Sequence, residues 1–202
     1  MRLGRTGFQS PDLWYRLVSR EPDDLERIAR GAAETGAVLD VSATPGLWGS
    51  FLRGDSNHLS LEMGEGLRHA TDTSHAAELV QAELVQHLSA LGRMTIDFVF
   101  WRYSRALEEY AIEGALQTFE MAIQEGNIRF LGLACPGNEL AALGMWQFHD
   151  AFSVLGVPMD SRPYTTLVPL AQERNVGVVG WSPRTGNETV SHPIRVDFEL
   201  SK

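Results

Sequence analysis

Residues 112–133 read IEGALQTFEMAIQEGNIRFLGL, and this stretch decides the fold. Its first half sets Ile112, Leu116, Phe119 and Ile123 on one stripe of a 3.6-residue period, which predicts a helix with one face to bury. Gly126 then supplies the left-handed conformation that ends a helix, and Ile128-Arg129-Phe130-Leu131-Gly132-Leu133 follows at once as a short β-rich run. The order recurs in Pro22 to Thr35, Gly36 and Ala37 to Val41. It appears again in His75 to Leu91, Gly92 and Thr95 to Trp101, and in Thr166 to Arg174, Asn175 and Val176 to Trp181. The short runs are apolar at nearly every residue, as when both faces of a parallel sheet are covered. Alternating helices and buried strands argue an α/β domain with a parallel sheet, either a barrel or an open doubly wound sheet.

The rest of the chain fits this grammar less closely. Leu13 to Val18 and Phe152 to Val157 read as further strands, Pro45 to Asn57 as a long loop, and Leu59 to Ala70 as a short helix. Thr71 to Ser74 then leave no room for a strand before the next helix. The tail Pro193 to Leu200 alternates apolar and charged residues, the pattern of a half-buried strand. It could close its own sheet or add to the edge of a second copy.

A chain of 202 residues is read as one domain, residues 1–202, yet it is shorter than the ~250 residues usual for an eightfold β/α barrel. The expected architecture is therefore a reduced or incomplete TIM-type barrel of about six or seven strands. Its uncovered edges would favour a homodimer. The net charge of −9 weighs against nucleic acid or an anionic membrane as partner. No apolar run approaches a membrane span and no signal peptide is recognisable, so a cytoplasmic location is the default expectation.

Cys135 is the only cysteine, and His69, His75 and His87 show no metal-ligand spacing, so neither a disulfide nor a metal is expected. No glycine-rich dinucleotide or phosphate-loop fingerprint is present. Of the 17 basic residues the only lysine is Lys202, so no internal lysine is available for chemistry. Arginine cannot replace it as a proton donor near neutral pH.

Several segments, in order, resemble the aldo-keto reductase family of NADPH-dependent β/α barrels. Arg2 to Gly7 is similar to that family's N-terminal hairpin, Thr35 to Ser42 to the segment carrying its catalytic aspartate, and Met63 to Leu67 to the short helix after its catalytic tyrosine. Leu91 to Asp97, Gln124 to Gly132 and Gly180 to Pro183 resemble the approaches to the fourth and fifth strands and the end of the seventh. The resemblance implies that Asp40 corresponds to the family's catalytic aspartate. The family tyrosine falls near Trp48, the lysine strand has no room, and the histidine falls at Arg102. The pair that holds the nicotinamide amide corresponds to Ala134 and Cys135, while Trp181 keeps a stacking ring. Beyond Ser191 the family still has an eighth strand and its adenosine-phosphate segment. No cofactor is therefore expected.

The candidate catalytic set is Asp40, Arg102, Tyr103 and His58. Asp40, Arg102 and Tyr103 follow strands, at the end where barrel sites gather. Arg102 can hold a carboxylate or enolate oxygen with two hydrogen bonds, Tyr103 can donate a proton, and His58 titrates near neutrality. Trp48, Trp101, Cys135 and Trp181 are the candidate substrate-binding residues. The leading functional expectation is a cofactor-independent acid/base enzyme, a dehydratase, isomerase or cyclase, acting on a small carbonyl metabolite. A non-catalytic binding or regulatory barrel is the alternative, and an NADPH-dependent carbonyl reductase the third.

Overall fold

At four helix-to-strand turns the residue expected to leave the helix does so with positive φ: Gly36 at 67°, Gly92 at 61°, Gly126 at 78° and Asn175 at 54°. A computed structural model describes residues 1–18, 22–52, 57–182 and 190–198. In it the chain runs β1 (Leu13–Leu17), α1 (Pro22–Thr35), β2 (Val38–Asp40), α2 (Pro45–Trp48) and β3 (His58–Met63). There follow α3 (Thr73–Leu91), β4 (Ile96–Arg102), α4 (Glu109–Gln124), β5 (Ile128–Ala134) and α5 (Glu139–Phe148). The chain continues through β6 (Val154–Pro158), α6 (Arg162–Glu173) and β7 (Gly177–Ser182) to β8 (Ile194–Phe198). All neighbouring strands are parallel and the sheet closes on itself in the order β1 to β8.

Eight strands correct the expected six or seven. The additional strand is β3, while the tail read as a half-buried strand is β8. The segment Leu59 to Ala70, expected as a helix, begins as β3, turns at Gly64 with φ 97°, and only then forms a 3-10 turn over Glu65–His69. The tail strand β8 pairs with β1 from Leu13↔Ile194 to Leu17↔Phe198 and with β7 from Gly180↔Ile194 to Ser182↔Val196. It thus closes its own barrel, and the open edge from which a homodimer was expected does not exist.

Side chains alternate across each strand, which divides the apolar residues into two bodies. Leu3, Phe8, Trp14, Val38, Phe98, Phe100, Ala134, Val154 and Val179 fill the barrel interior. A larger layer, including Leu39, Leu61, Val99, Trp101, Leu133 and Val157, packs between strands and helices. The N-terminal hairpin, marked by the Arg2↔Gln9 bridge, carries Leu3 and Phe8 into the bottom of the barrel. Gly132 and Gly156 make room for interior rings: a Cβ there would stand 2.4 Å from Phe100 and 2.6 Å from Trp181. The interior is therefore packed, and barrel sites gather at the C-terminal ends of the strands.

Candidate functional site

At the C-terminal ends of β2, β3, β4 and β8 the inward-facing residues are charged. Asp40 is fully buried at the end of β2. One of its oxygens accepts the Ser42 amide at 3.1 Å, and the other accepts Ser60 Oγ at 3.0 Å and Arg195 Nη1 at 2.8 Å. Burial alone would raise its pKa, but the Arg195 guanidinium and the Ser42 and Ser60 hydrogen bonds outweigh that, so the carboxyl titrates below the usual range. Asp40 is an ionised acceptor of hydrogen bonds from Ser42, Ser60 and Arg195.

Arg195 comes from β8 and also donates to Glu62 of β3, at 2.5 Å. Its own pKa is raised: burial works against the charge, and the flanking Asp40 and Glu62 more than compensate. Arg102, at the end of β4, donates to the second Glu62 oxygen at 2.6 Å and lies 2.8 Å from Glu65. The chain of charges Asp40–Arg195–Glu62–Arg102 thus crosses the mouth from β2 to β4. The Arg195 guanidinium also lies 4.1 Å from the centre of the Trp181 ring, whose benzene half rests against Gly156. Arg16, on the same face of β1 as Trp14 and in register with Asp40, reaches the same end of the barrel.

Of the residues expected from sequence, the fold brings together Asp40, Arg102 and Trp181. Arg195, Glu62 and Ser60 complete the group and were not foreseen. For Arg195 a signal existed: alternation in the tail sets it opposite Ile194 and Val196. Glu62 occupies the mouth end of the strand for which no room had been expected.

The other candidates lie elsewhere. His58 is the first residue of β3, so it sits at the N-terminal end of the barrel, where it pairs with Asp97 at 3.2 Å and meets the Phe8 ring edge-on. Trp101 and Tyr103 differ from Arg102 by one residue and so point away from the interior into the helical layer. There their rings pack edge to face at 5.6 Å, and the Tyr103 hydroxyl accepts the Leu107 amide at 3.3 Å. Burial raises the Tyr103 pKa, the opposite of what a proton donor near neutral pH requires. Cys135 also belongs to the outer layer, and burial pushes its thiol up to about 11. Trp48, in α2, is wholly buried in the same layer. Alternation had been hidden in β4 and β5 because both faces of those strands are apolar. Among the described residues no cluster of His, Cys, Asp and Glu could hold a metal ion. No helix there is long and apolar enough to cross a membrane.

No protein-family model and no curated protein matches the sequence. Solved structures do. An aldo-keto reductase from Bacillus halodurans in its holo form superposes with a TM-score of 0.73 at 19% identity, over 91% of this chain and 65% of its own. An aldo/keto reductase from Brucella melitensis gives 0.70 at 12% identity, over 91% and 72%. Aldose reductase from Giardia lamblia gives 0.65 at 14% identity, over 88% and 67%. The chain spans just under two thirds of the length of the first of these. Its closed eight-stranded parallel barrel is the fold of the aldo-keto reductases.

Proposed function

We propose that this barrel is a non-redox binding protein that takes a small ligand at the C-terminal end of its strands. The observation that carries the reading is Arg195, which lies on the Trp181 ring and at the same time bridges Asp40 and Glu62. NADPH, the cofactor that the fold family implies, does not fit these residues. The ring face that would stack on a nicotinamide is taken by a guanidinium that is itself 6% exposed and doubly ion-paired. Ala134 has no polar side chain with which to hold the carboxamide, and Cys135 is buried in the helical layer.

The same arrangement favours binding over the acid/base enzyme expected from sequence. A general acid or base must exchange its proton near the working pH. Asp40 is held ionised, Tyr103 and Cys135 are held protonated and face outward, and His58 lies at the other end of the barrel. What remains at the mouth is suited to recognition: partly exposed Arg102 offers directed donors, and the Trp181 edge an apolar wall.

The test is incubation with NADPH and a panel of aldehydes, together with calorimetric titration of NADPH. The expected result is no loss of NADPH absorbance and no binding at ~1 mM. Turnover near ~10 per second, common for enzymes, overturns the reading.

A further inference from the structure

We propose that the rim of the mouth between β3 and β4 binds the phosphate group of a small ligand through Arg68, Arg102 and Arg105, with Glu65 holding its place in the free protein. This rests on the reading of the mouth as a binding face and names the chemistry it takes. Arg102 ends β4, and the chain turns at once through Tyr103, Ser104 and Arg105. From the opposite side Gly64, Glu65 and Arg68 approach on the 3-10 turn after β3. Together they line a notch of about 20 Å³, room for about one water-sized group such as a single oxygen. The notch adjoins a cleft of about 220 Å³ that Arg68 and Arg105 also line.

Charge points the same way. Arg68, Arg102 and Arg105 line the inner notch beside one carboxylate, Glu65, with Glu62 behind Arg102, in a chain whose net charge is −9. Glu108 lies on the wall of the wider cleft, with Arg68 and Arg105. Guanidinium N–H groups match the spacing of phosphate oxygens and stay charged at every relevant pH.

Arg102 is already aimed. Its bond to buried Glu62 at 2.6 Å fixes one side of the fork, while its Nε lies 2.8 Å from Glu65, where a ligand oxygen would sit. Glu65 is 60% exposed, so releasing it costs little. The notch wall is closely packed at Gly64, which has φ 97° and where a Cβ would stand 2.6 Å from the Trp101 ring. Arg68 is steadied by its Nε bond to His69 at 2.9 Å. Ser104 also lines the notch.

The experiment is calorimetric titration of the full chain, in a phosphate-free buffer of fixed ionic strength, with inorganic phosphate and with glycerol phosphate. The expected result is one site with a Kd of ~1 mM or tighter. Arg68→Gln and Arg105→Gln should each weaken it about tenfold, and Glu65→Gln should strengthen it a few-fold. Arg27→Gln on α1 should leave it unchanged. Arg68 and Arg105 are both solvent-facing, so loss of folding does not confuse the result, and thermal melts verify this. Absence of heat with either phosphate, or equal binding by the Arg68→Gln/Arg105→Gln double variant, overturns the notch. Cosedimentation with phosphatidylglycerol vesicles without any response to glycerol phosphate overturns the small ligand in favour of a lipid headgroup. NADPH-dependent aldehyde reduction instead strikes the non-redox reading alone, because it needs a free Trp181 face and not this rim.

Discussion

Arg195 is the residue on which the mouth depends, because it is the cation shared by two buried carboxylates. Arg195→Met should destabilise the protein by about 3–5 kcal/mol, the cost of leaving buried charge uncompensated. Urea denaturation measures this, and the triple variant with Asp40→Asn and Glu62→Gln should recover much of the loss. If Arg195→Met is as stable as the parent, the network does not hold the mouth. Asp40 adds a pH dependence of known sign. Its folded pKa lies below the unfolded value, so its contribution is complete above about pH 4 and drains away as pH falls through the folded value. Asp40→Asn should therefore unfold less steeply on the acid side, as read by circular dichroism at decreasing pH. At this scale the sequence made Asp40 and Arg102 readable, because each ends a recognisable strand. It concealed the inward or outward sense of Trp101, Tyr103 and Cys135, since β4 and β5 are apolar on both faces and a period of two leaves no trace there.

Among the elements, β3 was illegible for a physical reason. Strands of a parallel barrel are expected to be apolar throughout, but Ser60 and Glu62 of β3 face a charged mouth, and only Leu59, Leu61 and Met63 meet the helices. The result is alternation of the kind usually found in a half-exposed strand. The turn at Gly64 and the 3-10 turn over Glu65–His69 follow at once, so that Leu59 to Ala70 reads as one short helix in the sequence. β8 was legible as a strand, and only its partner was in doubt. Its charged face, which would meet water in an open sheet, lines the mouth once the barrel closes. β6 contributes through what it lacks. Gly156→Val would drive a side chain into the Trp181 ring, 2.6 Å from the ideal Cβ. It should cost about 1–3 kcal/mol by overpacking. A shift in tryptophan emission should accompany the lowered urea midpoint, because the ring must leave both Gly156 and Arg195. An unchanged midpoint would mean that the ring is not seated on the glycine.

For the whole molecule, closure matters more than length. The shortness of the chain suggests an incomplete barrel, yet eight strands are present and the sheet closes on itself. Deleting residues 193 to 202 should therefore abolish cooperative unfolding, since β1 and β7 would both lose their neighbour. Thermal melts of the deletion variant test this. A cooperative, native-like transition would show that β8 is dispensable. The seam between β1 and β8 also bears on how the native state is reached. Asp40 and Arg195 are 155 residues apart in the chain, and no contact across the seam can form until a very long loop has closed. Local helix–strand units can assemble while the chain is still open, but the ring cannot. Its completion is a late, slow event. Until then the two carboxylates lack their shared cation and the interior stays open along one side, so the unfinished barrel is most exposed to aggregation just before its last strand arrives.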